Sequence, residues 1–284
     1  MKILITGNRG FVGTETERVL SRADHNVIGY DLMDNMDVRD YDQLRSFVLR
    51  TLPDRILHLA AIARFNEADA DPKLAFETNG QGCANVAKVA AEFHIPVVYS
   101  STGSVYMPIN EEPPITENFK VCGNSVYGCS KLLGELYIKQ NTPWIILRYS
   151  HLYGKEKGLY GLIGSFVTRI NRGLAPVLYG GKQSSDFLYI KDVARANLLA
   201  LTAPWGSWNQ VYNIGTGEEI SAEKAGKIIC ESMKYTGEVA VEQSRIVDAP
   251  RFVYDCKKAE TMLQFVAEYD FATGLNHMFK GETQ

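Results

Sequence analysis

The sequence predicts an α/β fold, a doubly wound parallel sheet with helices on both faces and a smaller C-terminal lobe. Three observations carry this. Short apolar runs alternate with longer helix-period segments through the first half of the 284-residue chain, the mark of βαβ units. The strands are runs of Val, Ile and Leu with little apolar–polar alternation, as a sheet covered on both faces requires. A glycine-rich turn joins the first strand to the first helix. Taken in order, Lys2–Thr6 is a strand, Phe11–Ser21 a helix and Asn26–Asp31 a strand. Tyr41–Thr51 is helical, Arg55–Leu59 a third strand, and Pro72–Phe93 one long helix. Pro96–Ser100 is a fourth strand, Ser125–Gln140 a helix and Trp144–Tyr149 a fifth strand. Beyond residue 150 the pattern loosens: Gly154–Gly164 and Gly173–Ser185 suggest loops, and Asp192–Thr202 and Ala222–Tyr235 suggest helices. Short strands are expected near Asp186–Ile190, Gln210–Ile214 and Glu238–Val241. The expected division is a first domain over 1–155, with a segment near 186–215 returning to it, and a smaller lobe over 156–284.

Composition removes several function classes. Hydrophobic residues make up 45% and charged residues 22%, close to ordinary globular proteins, so disorder and collagen-like repeats are excluded. The net charge of −3 lacks the basic excess of a nucleic-acid binder. No apolar run is long enough for a membrane span, and Met1-Lys2 leads directly into a short strand, so no secretory leader is expected. Five cysteines without a C-x-x-C pair speak against a disulfide framework or zinc site and for a reducing, cytoplasmic setting. No metal is expected.

The strongest local signal is Thr6-Gly7-Asn8-Arg9-Gly10-Phe11-Val12-Gly13. Glycines between a strand and a helix let the main chain turn tightly and bring free N–H groups at the helix N-terminus up to a pyrophosphate. The spacing is G-x-x-G-x-x-G. Asp31, closing the second strand, is placed to accept hydrogen bonds from a ribose and to repel a 2′-phosphate, which favours NAD over NADP. Arg9 works against this, because a guanidinium in the loop can pair with a 2′-phosphate. Further on, Tyr127 and Lys131 stand four apart at the start of a helix and therefore share a face. An ammonium beside a phenol stabilises phenolate and lets Tyr127 exchange a proton with a hydroxyl.

These motifs, with Asp37-Val38, HLAA (58–61), Asn79, SSTGSVY (100–106), YGCSK (127–131), LRYSHLYG (147–154), DFLYIKDVA (186–194) and NIGTGEEIS (213–221), resemble the extended short-chain dehydrogenase/reductases. Within that group they resemble the NAD-dependent epimerase/dehydratase family, which modifies nucleotide sugars on a Rossmann-type fold with a substrate-binding lobe. The resemblance implies that Gly7, Asn8, Arg9, Gly10, Phe11, Val12, Gly13 and Asp31 bind the cofactor. It also implies that Asp37 and Val38 flank the adenine, and that Leu59, Ala60 and Ala61 line the cofactor. Asn79 then faces it from the long helix and Ser100 lies near the nicotinamide ribose. Thr102, Tyr127 and Lys131 form the implied catalytic triad, with Lys131 also on the ribose. Thr102, Ser104, His151 and Arg251 are the implied substrate contacts, Arg251 through the diphosphate.

Departures narrow the subclass. Family members that dehydrate or decarboxylate carry acidic residues after the catalytic Thr, where this chain has Gly103 and Ser104. The expected function is an NAD-dependent nucleotide-sugar epimerase, commonly acting at C4. A second reading is an NAD(P)H-dependent 4-keto-6-deoxy nucleotide-sugar reductase, favoured by Arg9 and by the short step from Asp31 to Asp37. A third, of another class, is a non-catalytic dinucleotide-binding regulator. Related proteins pair subunits through the helices expected at Pro72–Phe93 and Ser125–Gln140, so a homodimer is expected. Specificity is expected from loops near 151–185 and 240–255.

Overall fold

The structure is a computed structural model that describes residues 1–106, 112–123, 125–141, 143–155, 159–243 and 251–280. The first half runs β1 (Lys2–Thr6), α1 (Phe11–Arg22), β2 (Asn26–Tyr30), α2 (Tyr41–Thr51), β3 (Arg55–His58), α3 (Phe65–Ala70), α4 (Pro72–Phe76), α5 (Gly82–Glu92), β4 (Val97–Thr102), α6 (Val126–Asn141) and β5 (Trp144–Tyr149). There follow β6 (His151–Tyr153), α7 (Gly161–Asn171), β7 (Val177–Tyr179), β8 (Ser184–Ser185), β9 (Phe187–Tyr189), α8 (Ile190–Thr202) and β10 (Gln210–Ile214). The chain closes with β11 (Ile220–Ser221), α9 (Ala222–Ser232), β12 (Ala240–Glu242), α10 (Lys257–Leu263) and α11 (Phe271–Lys280).

Six strands form one sheet in the order β10-β5-β4-β3-β1-β2, every neighbouring pair parallel. Strand period two sorts the apolar side chains onto two cores. Ile3, Ile5, Leu57, Val98, Ile145 and Leu147 face one, while Leu4, Ile56, Val97, Tyr99 and Ile146 face the other. Helices α1 and α8 cover the first face, and α2, α5 and α6 the second. β2 is the edge strand because the chain turns from Tyr30 to α2 without building another strand. After β1 the chain goes to β2 on one side, then to β3 on the other. The strand order therefore reverses between β1 and β3, and a crevice opens at their carboxyl ends.

Three expectations are corrected. The long helix over Pro72–Phe93 is broken by a π-helical turn at Glu77–Gln81, which bulges the backbone around the buried Asn79. Periodicity survives a one-residue bulge, so the sequence reads straight through it. The loop expected at Gly154–Gly164 gives way to α7 from Gly161; Gly164 there signals not a turn but a close approach, since a Cβ on it lies 2.4 Å from the Leu159 carbonyl oxygen. The strand expected near Asp186–Ile190 is shorter, Phe187–Tyr189, because Ile190 already starts α8. The strand expected at Gln210–Ile214 is β10, which pairs with β5 along its whole length.

Candidate functional site

The crevice begins at the glycine turn. Gly7 has φ +75°, a left-handed conformation, and its N–H donates to Tyr30 O at 2.8 Å. A Cβ on Gly7 lies 2.7 Å from Ala60 N, and one on Gly13 lies 2.3 Å from Gly7 O, so neither position admits a side chain. Helix α1 starts at Phe11 with Gly10 as N-cap, no side-chain cap and no acidic residue in its first turn. Its first N–H groups are left for an anion. Phe11 and Val12 turn back onto the core beside the sheet. This cradle, with room made by missing Cβ atoms and uncapped donors, fits a dinucleotide pyrophosphate. Asn8 departs from the expectation: its amide is buried against Gly29 and donates to Glu17 at 3.1 Å, so it braces the loop.

Asp31 follows β2, is 9% exposed, and accepts from Arg9 N and Met33 N, each at 2.9 Å. Arg9 does not point its charge into the crevice unopposed. Its guanidinium meets Asp34, a residue the sequence analysis passed over, through two bonds of 3.0 Å. The Asp37 carboxylate is likewise taken up, by the backbone and side chain of Arg39, and this pairing holds it below the usual carboxylate range. Val38 is buried against Gly82. On the other side of the crevice, Leu59 N donates to Thr6 O at 3.0 Å and Ala60 N lies 3.4 Å from Thr6 Oγ1. Leu59, Ala60 and Ala61 are half-buried there. Asn79 differs from its expected role. Its oxygen accepts Ile62 N at 2.8 Å, and its amide donates to Ile62 O and Ser130 Oγ at 3.0 and 2.9 Å. The amide is spent tying the chain after β3 to α6.

Thr102 closes β4, and Ser125 caps α6 by accepting Gly128 N at 3.0 Å. This sets Tyr127 in the first turn and Lys131 one turn later. Burial raises the Tyr127 phenol to about 12, and the Thr102 hydroxyl beside it offsets only part of that rise. Lys131 is 2% exposed, its Nζ 4.3 Å from the centre of the Tyr99 ring, and burial lowers it to about 8. The expected lowering of the phenol by this ammonium is corrected: Lys131 rests on Tyr99, and desolvation governs Tyr127. Phe65, from the exposed start of α3, stands edge-on to the Tyr127 ring at 5.2 Å. Ser100 lies beside the Tyr149 hydroxyl on β5, which donates to Asn197 Oδ1 at 2.6 Å. Behind the trio lies a buried ion pair that sequence reasoning missed. Glu135, one turn after Lys131, accepts from Arg148 at 2.9 and 2.7 Å and from Ser101 at 2.6 Å. It therefore clamps β4 next to Thr102 onto α6. The i, i+4 step from Lys131 to Glu135 was its visible signal.

Residues 3–215 match the NAD-dependent epimerase/dehydratase family profile. The chain belongs to that family. A protein of Methanocaldococcus jannaschii named provisionally as a UDP-glucose 4-epimerase is 30% identical over 97% of this chain and 96% of its own. The UDP-glucose 4-epimerase of Thermotoga maritima, solved with UDP-glucose, superposes with a TM-score of 0.90 at 26% identity, covering 99% of this chain and 98% of the other. The UDP-glucose 4-epimerase of Thermus thermophilus, solved with NAD, gives 0.84 at 25% identity, covering 98% and 97%.

In this member of the NAD-dependent epimerase/dehydratase family, the space after Thr102 is closed. A Cβ on Gly103 lies 2.2 Å from Phe252 Cζ, so an acidic residue there displaces a buried ring. Ser104 Oγ accepts from Thr102 at 3.2 Å. His151 is open to solvent on one side but walled by Phe252 at 5.0 Å and Phe187 at 6.3 Å between ring centres. Desolvation by these rings lowers its pKa. Arg251 is held by Glu219 through two 2.7 Å bonds and by Glu112 at 3.0 Å, so in this state it is a clasp at the mouth. Among the described residues no basic side chain pairs with Asp186. It accepts Thr216 N and Oγ1, Gly217 N and Tyr254 N, at 2.8, 2.8, 3.1 and 3.4 Å, and so holds the segment bearing Phe252 beside the sheet. Of the loops expected to set specificity, 156–158 and 244–250 lie outside the described residues. Among the described residues no group of three or more His, Cys, Asp and Glu could hold a metal ion, and no helix is long and apolar enough to cross a membrane.

Proposed function

We propose that the protein is an NAD-dependent nucleotide-sugar 4-epimerase in which Thr102, Tyr127 and Lys131 are the catalytic residues. The observation that carries this is the placement of Thr102 at the end of β4 and of Tyr127 and Lys131 one turn apart at the start of α6, at the carboxyl edge of the sheet that also carries the glycine cradle. The cofactor contacts are the main chain of Gly7–Gly13, Asp31, Val38, Leu59–Ala61, Ser100 and Lys131. When bound, NAD supplies hydride acceptance and return at the sugar carbon. The protein's part is proton handling. Tyr127 Oη takes the proton from the sugar hydroxyl, with Thr102 Oγ1 sharing the hydrogen bond, and gives it back after the keto sugar has turned its other face. Lys131, kept close by burial, holds positive charge against the ribose. His151 and Ser104 offer neutral hydrogen bonds to the substrate, and Arg251 exchanges its carboxylates for the diphosphate. The sealed position at Gly103 supports epimerisation over dehydration, and the named relatives, being epimerases, lend the reductase and regulator readings no support. The division into an NAD-binding part over 1–155 and a substrate-binding lobe over 156–284 belongs to this reading. So do a cytoplasmic setting and a homodimer through α4–α6, where Phe76 and Leu136 stay 39% and 50% exposed.

The test is to supply UDP-glucose to the purified protein with no added dinucleotide and follow UDP-galactose by NMR. Product formation supports the proposal. Consumption of NADH or NADPH with a keto sugar, and no epimer from any nucleotide sugar, overturns it. A dimer mass in light scattering supports the assembly, and a monomer mass contradicts it.

A further inference from the structure

The Arg9–Asp34 pair lies at the ribose end of the crevice and is not needed by the reaction. Asp31 caps a 3₁₀ turn, Leu32–Asp34, by accepting Met33 N, and that turn ends at Asn35 in the left-handed conformation, φ 58°. Asp31 and Asp34, at the two ends of this turn, both face the glycine loop. The glycine loop is tied to both. The Arg9 main chain donates to Asp31, and the Arg9 guanidinium forms a two-pronged bond to Asp34, the arrangement in which Arg matches a carboxylate best. Glu17 and Asp31 add negative charge facing the same guanidinium.

Arg9 is therefore the one cation in the loop with the reach and geometry to meet a 2′-phosphate, and Asp34 occupies the prongs it would use. We propose that Asp34 is a cofactor-specificity residue. By holding Arg9 on itself it denies a 2′-phosphate its partner and adds a repelling charge beside Asp31, so that the loop accepts a free ribose 2′-hydroxyl. The inference rests on the reading of this loop as the dinucleotide site. It explains why a guanidinium there coexists with NAD, and it makes the preference reversible at a single residue outside the cradle.

The experiment titrates NAD⁺ and NADP⁺ by calorimetry into protein freed of bound dinucleotide, using the native chain, Asp34→Asn and Asp34→Asn combined with Arg9→Ala. Removing the carboxylate charge and releasing the guanidinium are each worth a few-fold at so exposed a site. Asp34→Asn is expected to tighten NADP⁺ binding by about tenfold while NAD⁺ affinity moves by less than about threefold. Adding Arg9→Ala is expected to cut the gain back to the few-fold that charge removal alone supplies. An unchanged ratio of the two affinities in Asp34→Asn overturns the proposal, and so does a tenfold gain that survives Arg9→Ala in full, because bare charge removal then accounts for all of it. If none of the three proteins binds either dinucleotide, the cofactor reading itself fails and the proposal with it. Because the native chain is titrated alongside, the two failures are distinguishable.

Discussion

Lys131→Met is expected to make the protein more stable at neutral pH. Lys131 is 2% exposed and burial brings its pKa from 10.5 to about 8, which corresponds to roughly 3 kcal/mol against the charged form. The contact over the Tyr99 ring returns about 1–2 kcal/mol, leaving a net penalty on the order of 1–2 kcal/mol. Methionine keeps the apolar stem without the charge. In protein freed of dinucleotide the variant is expected to melt about 2–5 °C above the native chain at pH 7. The sign also fixes a pH dependence. Between pH 8 and 10.5 the unfolded chain binds the proton that the folded chain has lost, so native stability rises with pH in that window. The penalty is relieved above it and present in full below. The gap between variant and native protein is therefore expected to close from pH 8 to 10.5. Differential scanning calorimetry across this range measures it. A variant less stable at pH 7, or a gap indifferent to pH, would refute the argument that this lysine is held there at the expense of the fold.

Other consequences follow from the same geometry. Tyr127→Phe is expected to lower turnover by about 10²–10⁴-fold while NAD binding, read by fluorescence titration, persists. Glu135→Gln leaves the Arg148 guanidinium buried without its carboxylate and is expected to destabilise by about 3–5 kcal/mol in urea unfolding; Glu135→Gln with Arg148→Met is expected to recover most of that. Gly13→Ala drives a Cβ to 2.3 Å from Gly7 O, between two backbones that cannot both yield. It is expected to cost about 1–3 kcal/mol and to abolish co-purification of dinucleotide.

The parallel sheet was legible because buried strands announce themselves. Lys2–Thr6 and Trp144–Tyr149 are almost wholly apolar, and their ends coincide with what the sequence predicts. The glycine cradle was legible because a missing Cβ is a residue identity. What stayed hidden depends on partners distant in sequence. Asn79 and Asp37 look available along the chain, yet Ile62 with Ser130, and Arg39, take up their polar atoms, and the Asn8 amide nitrogen goes to Glu17. Asp34 and Glu135 look like surface acids until Arg9 and Arg148 arrive. The second lobe resisted reading because its glycines mark close contacts: Gly274 gives way to the Tyr153 ring, and α11 around it has no signal beyond an amphipathic stretch.

The central claim is that hydrogen at the sugar carbon travels as hydride and never as an exchangeable proton, with Tyr127 handling only the hydroxyl proton. Epimerisation of UDP-glucose in D₂O, followed by NMR, tests this directly. The account predicts UDP-galactose with no deuterium at C4 and no requirement for added dinucleotide. Deuterium at that carbon would contradict it.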